Sequence, residues 1–231
     1  MHEVHRPAYT SETELMPIDT IVVGASSFSS LMRLYLEQDG KYHVVAYAVE
    51  AEYLKADAFD DLPLIDFDLL ASQYQGISVL NTIGYSKMNQ ARERIHRRLV
   101  EFGIEPVTYI HPSAVVNSPL GAGCIVLEHC SIGFRNVIGE GCIFWSGTTI
   151  AHDCKVGDFS YWSPHAVSCG NVTIGKRCFI GAGAVLRNRI QVADDCLVGA
   201  GVYLNHSVEE CGKVFACHNA EERPVSSNQV F

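Results

Sequence analysis

From Leu120 to Leu204 the hydrophobic positions of the chain recur every six residues. The series runs Leu120, Val126, Ile132, Ile138, Phe144, Ile150, Val156, Trp162, Ser168, Ile174, Ile180, Leu186, Val192, Val198, Leu204, and twelve of its fifteen members are Leu, Ile or Val. The next position is glycine in seven hexads, and four places after the aliphatic comes a mostly small residue. An amphipathic helix repeats near 3.6 residues and a half-buried strand near 2, so neither produces this ladder. An inward aliphatic, a turn-permissive glycine and an inward small residue in each hexad are the signature of a parallel β-helix, in which three short strands close one triangular coil.

Three hexads place residues eighteen apart on top of one another, at the strand spacing of ~4.8 Å. Phe144 and Trp162, the bulky exceptions at the aliphatic position, are eighteen apart and therefore stack in one column with Val126, Ile180 and Val198. Six of the nine cysteines, Cys124, Cys130, Cys142, Cys154, Cys178 and Cys196, fall on the small inward phase. Every gap among them is a multiple of six, which suits buried small hydrophobes rather than a zinc site with its C-x-x-C spacing. No metal is expected, and all thiols are expected to be reduced.

Ahead of the ladder the pattern changes. Thr20 to Val23 reads as a buried strand entering the small-residue turn Gly24 to Ser30, Leu31 to Gln38 as a helix closed by Gly40, and His43 to Ala48 and Ile77 to Ile83 as further strands. Lys87 to Phe102 predicts a helix with Ser86 as its cap, an apolar face of Met88, Ala91, Ile95, Leu99 and Phe102, and Gly103 as its stop. Alternating strands and helices predict a small Rossmann-like parallel α/β domain. The expected organisation is a tail over 1–17, an α/β domain over 18–108, the β-helix over 109–208 and a tail over 209–231.

Ligands of open α/β sheets bind at the carboxyl ends of the strands, so the turn after the first strand is the candidate nucleotide site. It holds one glycine and lacks the dinucleotide fingerprint. Gly24, Ser26 and Ser27 are the candidate substrate contacts there; the serines could donate to phosphate or cap the helix.

The net charge of -9 argues against a general nucleic-acid binder. Phe159 to Ala193 nevertheless contains no Asp or Glu while carrying Lys176, Arg177, Arg187 and Arg189. These are either solvated corner residues or a docking site for a phosphate-bearing ligand such as coenzyme A. The segment MHEVHRPAYTSETELMP has no apolar core of signal length, no stretch approaches a membrane span, and many unpaired thiols suit a reducing cytoplasm.

Particular segments carry a resemblance: Asn81 to Asn89 (NTIGYSKMN), the junction Ile110-His111-Pro112-Ser113-Ala114, Thr149-Ile150-Ala151-His152-Asp153-Cys154, Gly170 to Gly175 (GNVTIG) and Phe179 to Gly183 (FIGAG). From about Thr20 to Val214 the chain resembles the bacterial sugar acyltransferases that include bacillosamine and perosamine N-acetyltransferases and sialic acid O-acetyltransferases. The resemblance implies a left-handed β-helix, a homotrimer, acetyl-CoA in the groove between neighbouring prisms, and a nucleotide-linked sugar held partly by the N-terminal domain. It implies an acetyl-CoA-dependent N-acetyltransferase of bacterial surface polysaccharide biosynthesis, with His152 as general base, Asp153 holding its ring and the Gly170 amide binding the thioester carbonyl. Ala182 and the four basic residues are the further candidate CoA contacts, and Tyr161 a candidate substrate contact. The chain departs from the family in its GASSFSS turn, in Val49-Glu50 where an acidic pair often stands, in Tyr161 where the bacillosamine enzymes carry a second histidine, and in Trp145 where they carry asparagine.

His152 combines an outward hexad phase, a following carboxylate and, one coil on, Gly170 in its own column. His129 and His165 share another outward phase and are pocket-lining candidates. O-acetylation and non-catalytic sugar-nucleotide binding are the alternatives; a zinc hydratase on the same prism would need converging histidines, and no pair here has the expected spacing of five.

Overall fold

The computed structural model describes residues 16–217. Residues 1–15 and 218–231, and with them most of the two expected tails, lie outside the described residues.

The N-terminal unit is a five-stranded sheet with helices against it. In chain order its elements are β1 (Ile18–Val23), α1 (Ser27–Gln38), β2 (Tyr42–Val49), β3 (Ala58–Phe59), β4 (Leu62–Asp66), α2 (Leu70–Gln73), β5 (Ser78–Asn81) and α3 (Gln90–Glu101). The sheet order is β3-β4-β2-β1-β5, parallel except for the antiparallel edge strand β3. Helix α1 starts four residues earlier than the sequence suggests, because Ser26 and Ser29 form a reciprocal capping box. Helix α3 starts later than expected: Lys87, Met88 and Asn89 all take left-handed backbone conformations (φ 51, 50 and 64), so Ser86 cannot cap it.

The second unit is a left-handed parallel β-helix of two-residue strands. One face, here called A, stacks Val137–Ile138, Lys155–Val156, Thr173–Ile174 and Gln191–Val192. Face B stacks seven strands from Tyr109–Ile110 to Val214–Phe215, so the pairing continues past residue 208, the end expected for the β-helix. Face C stacks six, from Val115–Val116 to Tyr203–Leu204. Register is eighteen residues per coil through the middle of the prism, Phe144 opposite Trp162 and Trp162 opposite Ile180, and shortens at the ends to sixteen (Tyr109 opposite Ile125, Val115 opposite Ser131) and seventeen (Leu197 opposite Val214). The Phe144 and Trp162 rings stack with centroids 6.2 Å apart. The six inward cysteines are buried and free, each thiol directed at a backbone carbonyl or a hydroxyl. Burial pushes the Cys130 thiol up to about 11 and the Cys178 thiol to about 12.

The two units join across face B. Its outward residues Tyr109, Ile125, Ile143 and Tyr161 are buried with Met32 and Leu36 of α1 in one hydrophobic cluster. Helix α3 fastens the edge of that face. Arg92, 1% exposed, donates to the carbonyls of Gly141 (2.9 Å) and Phe159 (2.6 Å) on the A/B corner, and Asn89 to that of Arg177 (3.0 Å). Glu93 pairs with Arg177 at 3.1 Å.

Candidate active site

His152 and Asp153 lie on the corner where face C turns into face A, the vertex opposite face B and its N-terminal unit. The corner recurs every coil. Its second position carries Phe134, His152, Gly170 and Asn188, and its third carries Arg135, Asp153, Asn171 and Arg189, all four in the left-handed region (φ 59, 59, 61 and 62). This bend turns side chains outward. His152 is exposed and Asp153 half-buried.

The imidazole is held from one side. Its Nδ1 lies 2.6 Å from Asp153 Oδ2, and the Arg135 guanidinium grips the same carboxylate with both arms, Nε to Oδ1 at 2.6 Å and Nη2 to Oδ2 at 2.7 Å. Arg135, then His152, hold the Asp153 carboxyl well below the usual carboxylate range. With Nδ1 occupied, Nε2 remains for proton transfer. Beyond the ring lies Gly170, where a Cβ would stand 2.8 Å from both Nε2 and Cε1. Only a residue without a side chain leaves room for the ring in this position. Among the described residues the Gly170 N–H does not donate to a backbone carbonyl; nor does that of Ala182, which lies on the B/C corner, away from His152.

The four basic residues separate. Arg187 and Arg189 are exposed on the His152 corner. Lys176 and Arg177 sit on the A/B corner and are held by carboxylates: Lys176 by Asp158 at 2.9 Å, and Arg177 by Asp195 through two bonds of 2.7 and 2.8 Å. His129 and His165 are exposed on the B/C corner, away from the corner of His152.

The candidate substrate residues border two cavities. Gly24 lines one of about 400 Å³ at the carboxyl ends of β1 and β2, with Glu50, Tyr53 and Arg94 on its wall. Its φ of +123 and the hydroxyls of Ser29 and Thr82, each 2.8 Å from where a Cβ would lie, leave room only for glycine. Glu50 is clamped by Arg94 (2.6 Å) and Arg98 (2.8 Å), which hold it ionised. Ser26, Ser27 and Tyr161 line the other cavity, of about 820 Å³ between the two units, together with Phe28, Tyr85 and Trp145. The Ser26 hydroxyl caps α1, accepting from the Ser29 N–H at 3.3 Å, while Ser27 is exposed. Burial raises the Tyr161 phenol to about 12, so it faces the cavity as a neutral hydroxyl. Among the described residues no three His, Cys, Asp or Glu side chains converge as a metal site would require, and no helix is long and apolar enough to cross a membrane.

The sequence reading missed Arg135, Glu50 with its arginines, and the burial of face B. The coil period held the signal for the first, since Arg135 is eighteen residues before Asp153. The outward run Tyr109, Ile125, Ile143, Tyr161, Phe179 held it for the last, being apolar where face A carries Lys155, Thr173 and Gln191.

Comparison with known proteins follows the same lines. The family model described as hexapeptide repeat of succinyl-transferase matches residues 171–206. GDP-perosamine N-acetyltransferase of Escherichia coli O157:H7 is 26% identical over 152 residues, 58% of this chain and 68% of that protein. The structure of PerB from Caulobacter crescentus, in complex with CoA and GDP-perosamine, superposes with a TM-score of 0.72 at 28% identity, covering 83% of this chain and 91% of that one. The acetyltransferase domain of PglB from Neisseria gonorrhoeae FA1090, in complex with acetyl coenzyme A, has the same fold (TM-score 0.74, 24% identity, 86% of this chain and 95% of that one).

Proposed function

This chain is a hexapeptide-repeat protein homologous to the sugar N-acetyltransferases, and from that kinship we propose that it transfers the acetyl group of acetyl-CoA to the amine of a nucleotide-linked sugar. The observation that carries the reading is the His152 imidazole, oriented by Asp153 and lying against the bare backbone of Gly170. The neutral amine attacks the thioester carbonyl carbon and forms the C–N bond. His152 Nε2 takes the proton the nitrogen loses, and the Gly170 N–H donates to the oxyanion. Collapse breaks the C–S bond, and the imidazolium returns its proton to the departing thiolate of CoA.

Acetyl-CoA would lie along the His152 corner, its phosphates met by Arg187 and Arg189; Ala182 lies on the B/C corner, so it would reach that cofactor only from a second copy. The nucleotide would lie at the Gly24 cavity and the sugar in the aromatic cavity beside Ser26, Ser27 and Tyr161. His152 occupies the vertex opposite face B, whereas one cavity lies in the unit packed on face B and the other between that unit and the face B side of the prism. An acceptor held there is remote from its own chain's base, so the site is completed by the corner of a second copy. A closed ring of three prisms supplies three such sites, which supports a homotrimer. The unpaired cysteines suit a reducing cytoplasm.

The test is release of CoA thiol with a panel of nucleotide-linked amino and hydroxy sugars, beside a solution mass by light scattering. Turnover confined to amino sugars and a mass of three chains are expected. Turnover on hydroxy sugars alone makes the enzyme an O-acetyltransferase; sugar binding without thiol release makes it a binding protein; a monomer leaves the site incomplete.

A further inference from the structure

Asp153 is a surface carboxylate on a short side chain, and water competes for both of its oxygens. An unassisted aspartate there would hold its histidine loosely. Arg135, one coil below in the same corner column, occupies Oδ1 with Nε at 2.6 Å and shares Oδ2, at 2.7 Å, with His152 Nδ1. A planar fork matches the carboxylate plane, so two bonds fix that plane and with it the direction in which Oδ2 receives the imidazole N–H. We propose that Arg135 is a positioning residue for the transfer reaction, fixing Asp153 and through it the tautomer and aim of the His152 ring.

The same molecule supplies a comparison. Arg177 grips Asp195 with the same fork, also one coil apart, on the A/B corner. That fork serves stacking and the junction with Glu93, with no histidine on its carboxylate. At Arg135 the fork ends in the imidazole, and Arg135 has no other partner among its hydrogen bonds. The low Asp153 carboxyl agrees with this, since the carboxylate stays ionised whenever His152 is neutral.

Without Arg135 the carboxylate is free to turn about its own side chain, and both the tautomer and the aim of the imidazole are released. The inference rests on His152 being the base, and its test has a readout independent of turnover.

In the intact full-length protein, the ring nitrogen resonances of His152, assigned by their loss in His152→Gln, report which nitrogen carries the proton. The natural protein should show the tautomer protonated at Nδ1, and Arg135→Ala a mixture of the two. In that variant kcat should fall roughly tenfold while the KM for acetyl-CoA stays in place. Arg135→Lys should recover both only in part, keeping the charge but lacking the fork. Arg177→Ala should leave the His152 resonances unmoved. If Arg135→Ala lowers the melting temperature as Arg177→Ala does, yet changes neither tautomer nor kcat, Arg135 is a coil staple and the inference is wrong. If the tautomer changes while His152→Ala retains full turnover, the Arg135 coupling stands and the assignment of His152 as base falls.

Discussion

The His152 ring lies over the backbone of Gly170, one coil further along, so closely that a methyl group there would sit 2.8 Å from Nε2 and Cε1. Gly170→Ala therefore forces the ring aside. The obstruction is the end of a side chain on an exposed corner, so the ring yields at small cost to stability. The expected outcome is an unchanged melting temperature with turnover down roughly tenfold or more. Wild-type turnover in this variant would show that the ring position is not used.

His152→Ala and His152→Asn remove the base from an outward corner. Oligomer and melting temperature should be nearly preserved while turnover falls ~10²–10⁴-fold. Asp153→Asn should cost less, because the imidazole remains and loses its orienting charge. Acetyl-CoA affinity, measured by calorimetry, should hardly move in any of them. If His152→Ala stays within a few-fold of wild type, His129 and His165 become the next variants to make.

Arg187 and Arg189 have no carboxylate partner among the described residues, Arg187 donating only to the Asn205 carbonyl at 3.4 Å, whereas Lys176 and Arg177 already have carboxylate partners. At least one of Arg187→Ala and Arg189→Ala is expected to weaken acetyl-CoA binding by about tenfold, with the loss shrinking as salt is added. Lys176→Ala should have no such effect. The reverse pattern would move the cofactor to the A/B corner.

The prism was legible because its period comes from the backbone: each coil must return every eighteen residues, so inward phases, cysteine columns and the Gly170 position above His152 all follow by counting. Charge was read along the chain instead of between coils, and there it misled. The acid-free run Phe159 to Ala193 is bordered by Asp158, Asp194 and Asp195. Stacking brings those residues onto Lys176 and Arg177: Asp158 and Asp195 pair with the two side chains, and Asp194 accepts from the Lys176 N–H at 2.8 Å. The same count finds Arg135 beneath Asp153. The junction with the N-terminal unit was out of reach of any period, since Arg92 meets Gly141 and Phe159 across 49 and 67 residues.

Arg92 is buried among carbonyls with no carboxylate at hand, and desolvation lowers its guanidinium to about 10. Arg92→Ala deprives the Gly141, Phe159 and Gly84 carbonyls of a donor and opens a void at the junction. A loss of about 3–5 kcal/mol is expected in denaturant unfolding. Arg92→Met keeps most of the volume and should lose less. If Arg92→Met is as stable as the natural protein, packing alone holds the junction.

His96 makes the junction sensitive to acid. It is 1% exposed, neither ring nitrogen has a hydrogen-bond partner, and it lies against Phe159 at 5.1 Å between centroids and beneath Gly123. Desolvation lowers its pKa; the charges of Glu140, whose carboxylate is 3.6 Å away, and Asp158 oppose that shift, while Arg97 and Arg92 add to it. With the folded value below the unfolded one, the unfolded chain binds the proton more readily. Stability from this group is therefore full above the unfolded histidine pKa of about 6.5 and declines as pH falls below it. The melting temperature should drop between about pH 6.5 and 5, and His96→Asn should flatten that slope while starting from a lower melting temperature at neutral pH. Equal slopes in the two proteins would place the acid sensitivity elsewhere.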